Sequence, residues 1–396
     1  MDFYIQMGHG MQKMCKDLLS DWGNTTVILS PLNISPDRIQ KFASTIKKAN
    51  GNILFDPQMY FPRKNHKNLS QYKYWPKKNI TFFEDGECKS QINDLYDLNN
   101  DLSTSGFILP SSIASKIDHI WDALQRNYIQ IAKSYNPTCS LISTIALTGD
   151  VLLDNIQVET IIQYVETWDV DSVYIVCEHP DRYYFITKPL WLSNLLSLVA
   201  GIKRQKKKVI VGYASQQMLC LSLAKCDVIA SGNFLNVRWF TPEHFETTIG
   251  DTYIRRALWY YCPQSLSEFK VPFLDIAQRM NILDKMKPNK MNPYCSMLFS
   301  GSIPSSTGYS EADTQKHYLT CLREQSLMVT RTTYNETRDA QELLLETAEQ
   351  LLTGFRNKGI RGQDRDFSEI IDVNRAAIAL FDSEFGYSLS REWDEL

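Results

Sequence analysis

The 396-residue chain has no excess of positive charge: 42 Lys and Arg stand against 45 Asp and Glu, for a net charge of −3. Contact with nucleic acid must therefore come from a local patch rather than from the charge of the whole chain. It also lacks any CxxC pair. Its nine cysteines are scattered from Cys15 to Cys321, and the closest spacing is Cys220 to Cys226. That excludes a disulfide scaffold or a zinc knuckle and suits reduced, buried thiols in a cytoplasm. Long hydrophobic runs are missing too. The most apolar stretch, 189–200, has 12 residues with Lys188 just before it, short of the ~20 a spanning helix needs. The start MDFYIQMGHG carries no basic, apolar secretion signal. The expectation is a cytoplasmic protein with no membrane partner.

What is present is ordinary globular composition, 43% hydrophobic and 22% charged, which rules out a disordered or collagen-like chain. Short apolar runs at 3–6, 26–30, 52–56, 106–109, 140–146, 172–177, 208–212 and 227–230 read as strands, several without alternation, as strands covered on both faces should be. Helical patterns lie between them at 11–21, 36–49, 113–134, 155–167, 190–204 and 216–224, with a weaker one at 90–102. Eight strands alternating with helices predict an α/β fold, a (β/α)8 TIM-type barrel over residues 1–240, with a doubly wound open sheet as the alternative. Residues 241–310 mix prolines and a Ser/Gly loop and read as an irregular insertion. Residues 311–396 read as C-terminal helices that pack on and close the barrel, with one leucine-bearing face of 340–355 buried against it.

In such a barrel the catalytic groups follow the strand ends. The third strand ends in Phe55-Asp56-Pro57-Gln58-Met59-Tyr60, where the proline stops the ladder after the aspartate. Asp56 is either a turn residue or a catalytic carboxylate. The sixth strand ends in Cys177-Glu178-His179-Pro180-Asp181-Arg182, so Glu178 and His179 are candidate acid–base groups, with a hydrogen-bonded loop as the plainer reading. After the eighth strand, Ser231-Gly232-Asn233 runs on to Asn236 and Arg238, which suit an oxyanion or phosphate, although Arg238 could equally pair with an acidic neighbour.

The loop after the third strand carries Arg63, Lys64, Lys67, Lys73, Lys77 and Lys78 interleaved with Tyr72, Tyr74 and Trp75, and 57–83 holds no acidic residue. Cations for phosphates beside aromatics for base stacking are what a single strand of nucleic acid requires; a solubilising surface loop is the other reading. The second basic run, 203–208, precedes a strand, falls on the opposite face and is expected only to be solvated.

Taken together these positions resemble the tRNA-guanine transglycosylases (queuine and archaeosine tRNA-ribosyltransferases). Their third-strand DSGGFQ-like motif is similar to Asp56-Pro57-Gln58-Met59-Tyr60. Their late YSxAYLxHL…HNLxFY segment is similar to Gly308-Tyr309-Ser310…His317-Tyr318-Leu319 and Thr330-Arg331-Thr332-Thr333-Tyr334-Asn335. The resemblance implies an enzyme acting on a purine or 7-deazaguanine base of a nucleic acid or nucleotide. Asp56 would be the acid/base or nucleophile, with Gln58, Tyr60, Ser231, Asn236 and Arg238 at the substrate. Divergent relatives occur in bacterial antiphage defence clusters, which implies a protein partner in a defence complex as a further expectation. The family's CxCxxC zinc cluster is missing, and Tyr334 stands where its fourth ligand, a histidine, would be, so neither metal nor other cofactor is expected. Ala230 and Ser231 stand where the family's nucleophilic aspartate follows the eighth strand. The alternative is therefore a catalytically lapsed barrel that binds nucleic acid or protein. A third reading makes Asp56 and Glu178 the carboxylate pair of a barrel glycoside hydrolase.

Overall fold

The runs Thr26–Leu29 and Val228–Ser231 are buried at every position, as apolar sequence without alternation requires. The computed structural model describes residues 1–62, 66–77, 85–245 and 257–396. Its strands are β1 (Asp2–Gln6), β2 (Thr26–Leu29), β3 (Asn52–Phe55), β4 (Gly106–Ile108), β5 (Ser140–Leu147), β6 (Ser172–Cys177), β7 (Lys208–Val211) and β8 (Val228–Ser231). They form one sheet in the order β3-β2-β1-β8-β7-β6-β5-β4, and every pairing is parallel. First and last strands are neighbours, from Asp2↔Val228 to Ile5↔Ser231. The remaining edges, β3 and β4, meet without a ladder. Ser105 N donates to Ile53 O at 2.8 Å, and a Cβ on Gly106 would lie 3.1 Å from Leu54 Cδ2. The fold is thus a (β/α)8 TIM-type barrel, nearly closed.

Helices α1 (Gln12–Trp22), α2 (Pro36–Lys48), α3 (Asp85–Leu102), α4 (His119–Ser134), α5 (Asn155–Glu166) and α6 (Pro189–Arg204) lie between the strands. Two local rules moved the boundaries. The pattern at 113–134 predicts an earlier start than α4 shows, because Ala114 bridges to Leu147 and the Asp118 side chain accepts from Ile120 N and Trp121 N as an N-cap. The helix expected at 216–224 is a 3-10 stretch, Gln216–Ala224, buried throughout.

The 241–310 region is more ordered than its prolines suggest. A Trp-Tyr-Tyr-Cys run forms β9 (Trp259–Cys262), which pairs antiparallel with β10 (Ser267–Lys270) and leads into α7 (Val271–Arg279). The last three helices are α8 (Glu311–Val329), α9 (Tyr334–Arg356) and α10 (Ile371–Glu392). Both α8 and α9 open with a capping box, Ser310 with Asp313 and Thr333 with Glu336. The α9 helix buries Leu345 and Leu352 while leaving Leu343 exposed, and Gln341 Nε2 donates to Leu219 O and Ser222 Oγ, both at 2.8 Å.

The basic run 203–208 is not merely solvated. Lys203 is buried and reaches both oxygens of Asp227 at 2.9 Å, and Arg204 Nε meets Glu392 Oε2 at 2.9 Å. It fastens α10 to the barrel, with Lys206 donating to Glu395 O. Among the described residues no helix is long and apolar enough to cross a membrane.

Candidate active site

Asp56 N still donates to Leu29 O at 3.1 Å, the last rung before Pro57 ends β3. The carboxyl turns inward and is 1% exposed. Tyr60 Oη donates to it 2.8 Å from each oxygen, and Gln58 N donates to Oδ1 at 2.9 Å. Tyr174, on β6, brings its hydroxyl to 3.4 Å from Oδ2 and donates to Gln6 Oε1 at 3.1 Å. Among the described residues no Lys, Arg or His pairs with Asp56. Burial therefore pushes its carboxyl up to about 7, against the pull of the hydrogen bonds from Tyr60, Gln58 N, Tyr174 and Tyr213.

The backbone around this carboxyl is held in unusual conformations. Gln58 has φ +53° and Tyr213 has φ +54°, the left-handed region in which a bulky residue is strained by roughly 1–3 kcal/mol. Their side chains bond each other, Gln58 Nε2 to Tyr213 Oη at 3.0 Å. Gln58 Oε1 accepts from Ser30 Oγ at 2.9 Å and Leu32 N at 3.0 Å. Gly212 completes the arrangement, since a Cβ there would lie 2.4 Å from Tyr174 Oη.

An aromatic roof closes the cluster. The Tyr60 ring packs edge-on against Phe240 (centroids 5.1 Å apart) and Phe245 (5.2 Å), and Tyr213 meets Phe240 at 5.3 Å. All four rings are buried.

Glu178 and His179 have hydrogen-bond and ring partners of their own. Glu178 Oε2 accepts from Gly149 N at 3.2 Å, and Oε1 lies 3.3 Å from Arg182 Nε. The His179 ring sits between Trp191 and Trp239, each centroid 5.7 Å away, with Nδ1 2.9 Å from Tyr183 O. Burial lowers its pKa to about 4, so it is neutral at pH 7. Phe240 connects the two groups, its backbone bridging to Glu178 and its ring packing on Tyr60, which holds Asp56. Among the described residues no hydrogen bond or ion pair joins Asp56 to Glu178, His179 or Arg238.

Arg238 is already satisfied, which corrects its reading as a phosphate ligand. Its Nη1 lies 3.2 Å from both oxygens of Glu268, Nη2 donates to Asn233 O at 2.7 Å, and Nε donates to Gly232 O at 3.1 Å. The guanidinium carbon is 3.4 Å from the Tyr318 ring centroid, and Arg365 Nη1 meets the same glutamate at 2.8 Å. Burial opposes the Glu268 charge, yet Arg365 and Arg238 hold its pKa below the usual carboxyl value. Ser231 is buried at the end of β8 and Asn236 is half-buried beside this network.

In the basic loop Lys67, Lys73 and Lys77 are exposed, whereas Arg63, Lys64 and Lys78 lie outside the described residues. The aromatic part of that expectation needs correcting. Trp75 is 3% exposed, and the Tyr72 and Tyr74 rings pack on Phe55, both at 5.9 Å, with their hydroxyls donating to Ile34 O and Pro57 O. Apolar faces this large are worth more under the loop than in water, so they are withheld from base stacking.

The late motif has local structural work of its own. His317 is buried with Nε2 2.7 Å from Tyr261 O and Nδ1 3.0 Å from Asn292 Nδ2, and Tyr334 donates to Asp382 at 2.8 Å. Among the described residues no three His, Cys, Asp or Glu side chains are grouped to hold a metal ion.

Sequence reasoning missed Gln6, Tyr174, Tyr213 and Glu268. The available signal for two of them was polarity at buried strand positions, a glutamine ending β1 and a tyrosine within β6. Comparison of the chain with protein-family models, with curated proteins and with solved structures finds no match.

Proposed function

We propose that the chain is a transglycosylase-like enzyme acting on a purine or 7-deazaguanine base of a nucleic acid or nucleotide, with Asp56 as its acid–base group. The observation that carries this reading is a buried carboxyl at a barrel strand end, poised at about 7 without a cationic partner. A group so poised both gives and takes a proton near neutral pH. When the C1′–N bond breaks, its electron pair leaves with the outgoing base, and Asp56 in its acid form supplies the proton. The incoming base attacks C1′ through its ring nitrogen and returns one proton to Asp56, so the exchange balances. Strained backbone at Gln58 and Tyr213 supports a site maintained for chemistry rather than for stability. Substrate entry requires the Phe240 and Phe245 rings to move aside.

The exposed Lys67, Lys73 and Lys77 favour a polynucleotide as the base carrier. The test is incorporation of radiolabelled guanine into bulk tRNA and duplex DNA. Asp56→Asn keeps the shape and removes the proton, so incorporation should fall on the order of 10² or more. A variant as active as the parent would refute the assignment.

The closed roof and the engagement of Arg238 by Glu268 favour a second reading, a lapsed barrel that binds nucleic acid or a protein partner. Binding of tRNA without incorporation by the parent protein would establish it.

A further inference from the structure

The roof over Asp56 is tied down by charge as well as by rings. Its outer part is the turn Pro242–Phe245, whose Phe245 ring packs on Tyr60 at 5.2 Å and on Tyr213 at 6.3 Å. Glu243, in the same turn, is 60% exposed, and its Oε1 accepts from Arg182 Nη1 at 2.7 Å. Among the described residues this is the one ion pair that reaches the roof. Arg182 Nε lies 3.3 Å from Oε1 of Glu178, the buried strand-end carboxylate whose backbone bridges to Phe240. One guanidinium thus spans the end of β6 and the roof.

Two features mark the Arg182–Glu243 contact as exchangeable. It is a single contact: Nε serves Glu178, Nη1 serves Glu243, and among the described residues Nη2 meets no hydrogen-bond partner. An exposed pair of this kind adds little in water. A phosphate would take Nη1 and Nη2 together with two oxygens, the fork geometry that arginine is built for. Nε stays on Glu178, so the exchange replaces one anion by another and gains a contact. The second feature is the backbone. Arg182 has φ +54°, at the end of a turn closed by its N–H donating to His179 O at 3.1 Å. Long side chains rarely adopt that conformation, and it clusters at ligand clamps.

We propose that Arg182 is a phosphate-binding residue at the mouth of the Asp56 site, held in reserve by Glu243, and that a polynucleotide phosphate displacing Glu243 frees the Pro242–Phe245 turn to lift from Tyr60. This rests on the reading of a polynucleotide as the ligand. A site closed at rest then admits a base only when its carrier strand is present.

Amide hydrogen exchange in the 240–245 segment, read by mass spectrometry with and without oligothymidylate, tests this; the probe carries phosphates but no purine to exchange. In the parent, saturating oligothymidylate should speed exchange roughly two- to fivefold, the range that release of an exposed ion pair allows. Glu243→Gln should exchange that fast without the probe and respond no further. Arg182→Gln should also exchange fast, and the log–log salt slope of its oligothymidylate binding should fall by roughly 0.7, one phosphate contact. An unchanged slope in Arg182→Gln, or parent exchange that bound oligothymidylate leaves unaltered, would overturn the role of Arg182 alone. A parent protein that binds no oligothymidylate would overturn the polynucleotide reading and this inference together. The expected exchange without guanine incorporation would support Arg182 and overturn only the base chemistry at Asp56.

Discussion

The Tyr60 hydroxyl lies 2.8 Å from both carboxylate oxygens of Asp56. The residue that holds the carboxyl is thus four positions along the same loop, and its ring is the inner layer of the roof that shields it. Positioning and desolvation come from one side chain.

Gly212 is expected to be irreplaceable by alanine. A Cβ there meets Tyr174 Oη at 2.4 Å and two ring carbons at 2.7 Å, all inside the barrel. Gly212→Ala should destabilise by about 1–3 kcal/mol in urea unfolding and displace the Tyr174 hydroxyl from Asp56. An unchanged midpoint would mean that the ring has room to move.

Glu268 binds the barrel to the C-terminal region through Arg238 and Arg365. Glu268→Gln leaves two guanidiniums beside a neutral amide and should cost about 3–5 kcal/mol, read from denaturant midpoints. If Arg238 were instead a free phosphate ligand, the substitution would cost little and phosphate affinity would rise.

The barrel was legible because its strands are continuous apolar runs; the predicted 172–177 strand coincides with β6, and the other limits differ by one residue. Asp56 was legible because Pro57 marks the end of β3. Its surroundings were not. Tyr174 meets Asp56, and Gln6 meets Tyr174, only through barrel closure, and the left-handed turn at Tyr213 follows from packing that no local pattern encodes. Arg238 showed the opposite failure. Its charge read as a ligand site because its partner, Glu268, is 30 residues away on a hairpin that was read as irregular.

Exposed lysines and buried aromatics of the basic loop should behave differently. Replacing Lys73 and Lys77 by alanine should weaken polynucleotide binding and flatten its log–log salt slope by roughly 0.7–0.9 per lost phosphate contact. Trp75→Ala should leave that slope alone and instead cost roughly 3–5 kcal/mol of stability, because the ring is buried. An unaltered slope in the lysine variants would assign the loop to solvation.

Stability should fall with rising pH through Asp56. Burial raises its pKa from 3.8 to about 7, so the folded state favours the protonated carboxyl. That contribution is complete below about pH 4 and is lost as pH rises through about 7. Against Asp56→Asn, which has no such proton, the parent should lose on the order of 4 kcal/mol between pH 4 and 8. Parallel unfolding curves of the two proteins across that range would contradict the shift.

Titration of the Asp56 carboxyl itself tests the central claim most directly. With carboxyl-13C aspartate, and Asp56→Asn to assign the resonance, the Asp56 signal should titrate with a midpoint of about 7. An Asp56 midpoint near 4, with the carboxyl ionised across the neutral range, would contradict its role as a proton donor.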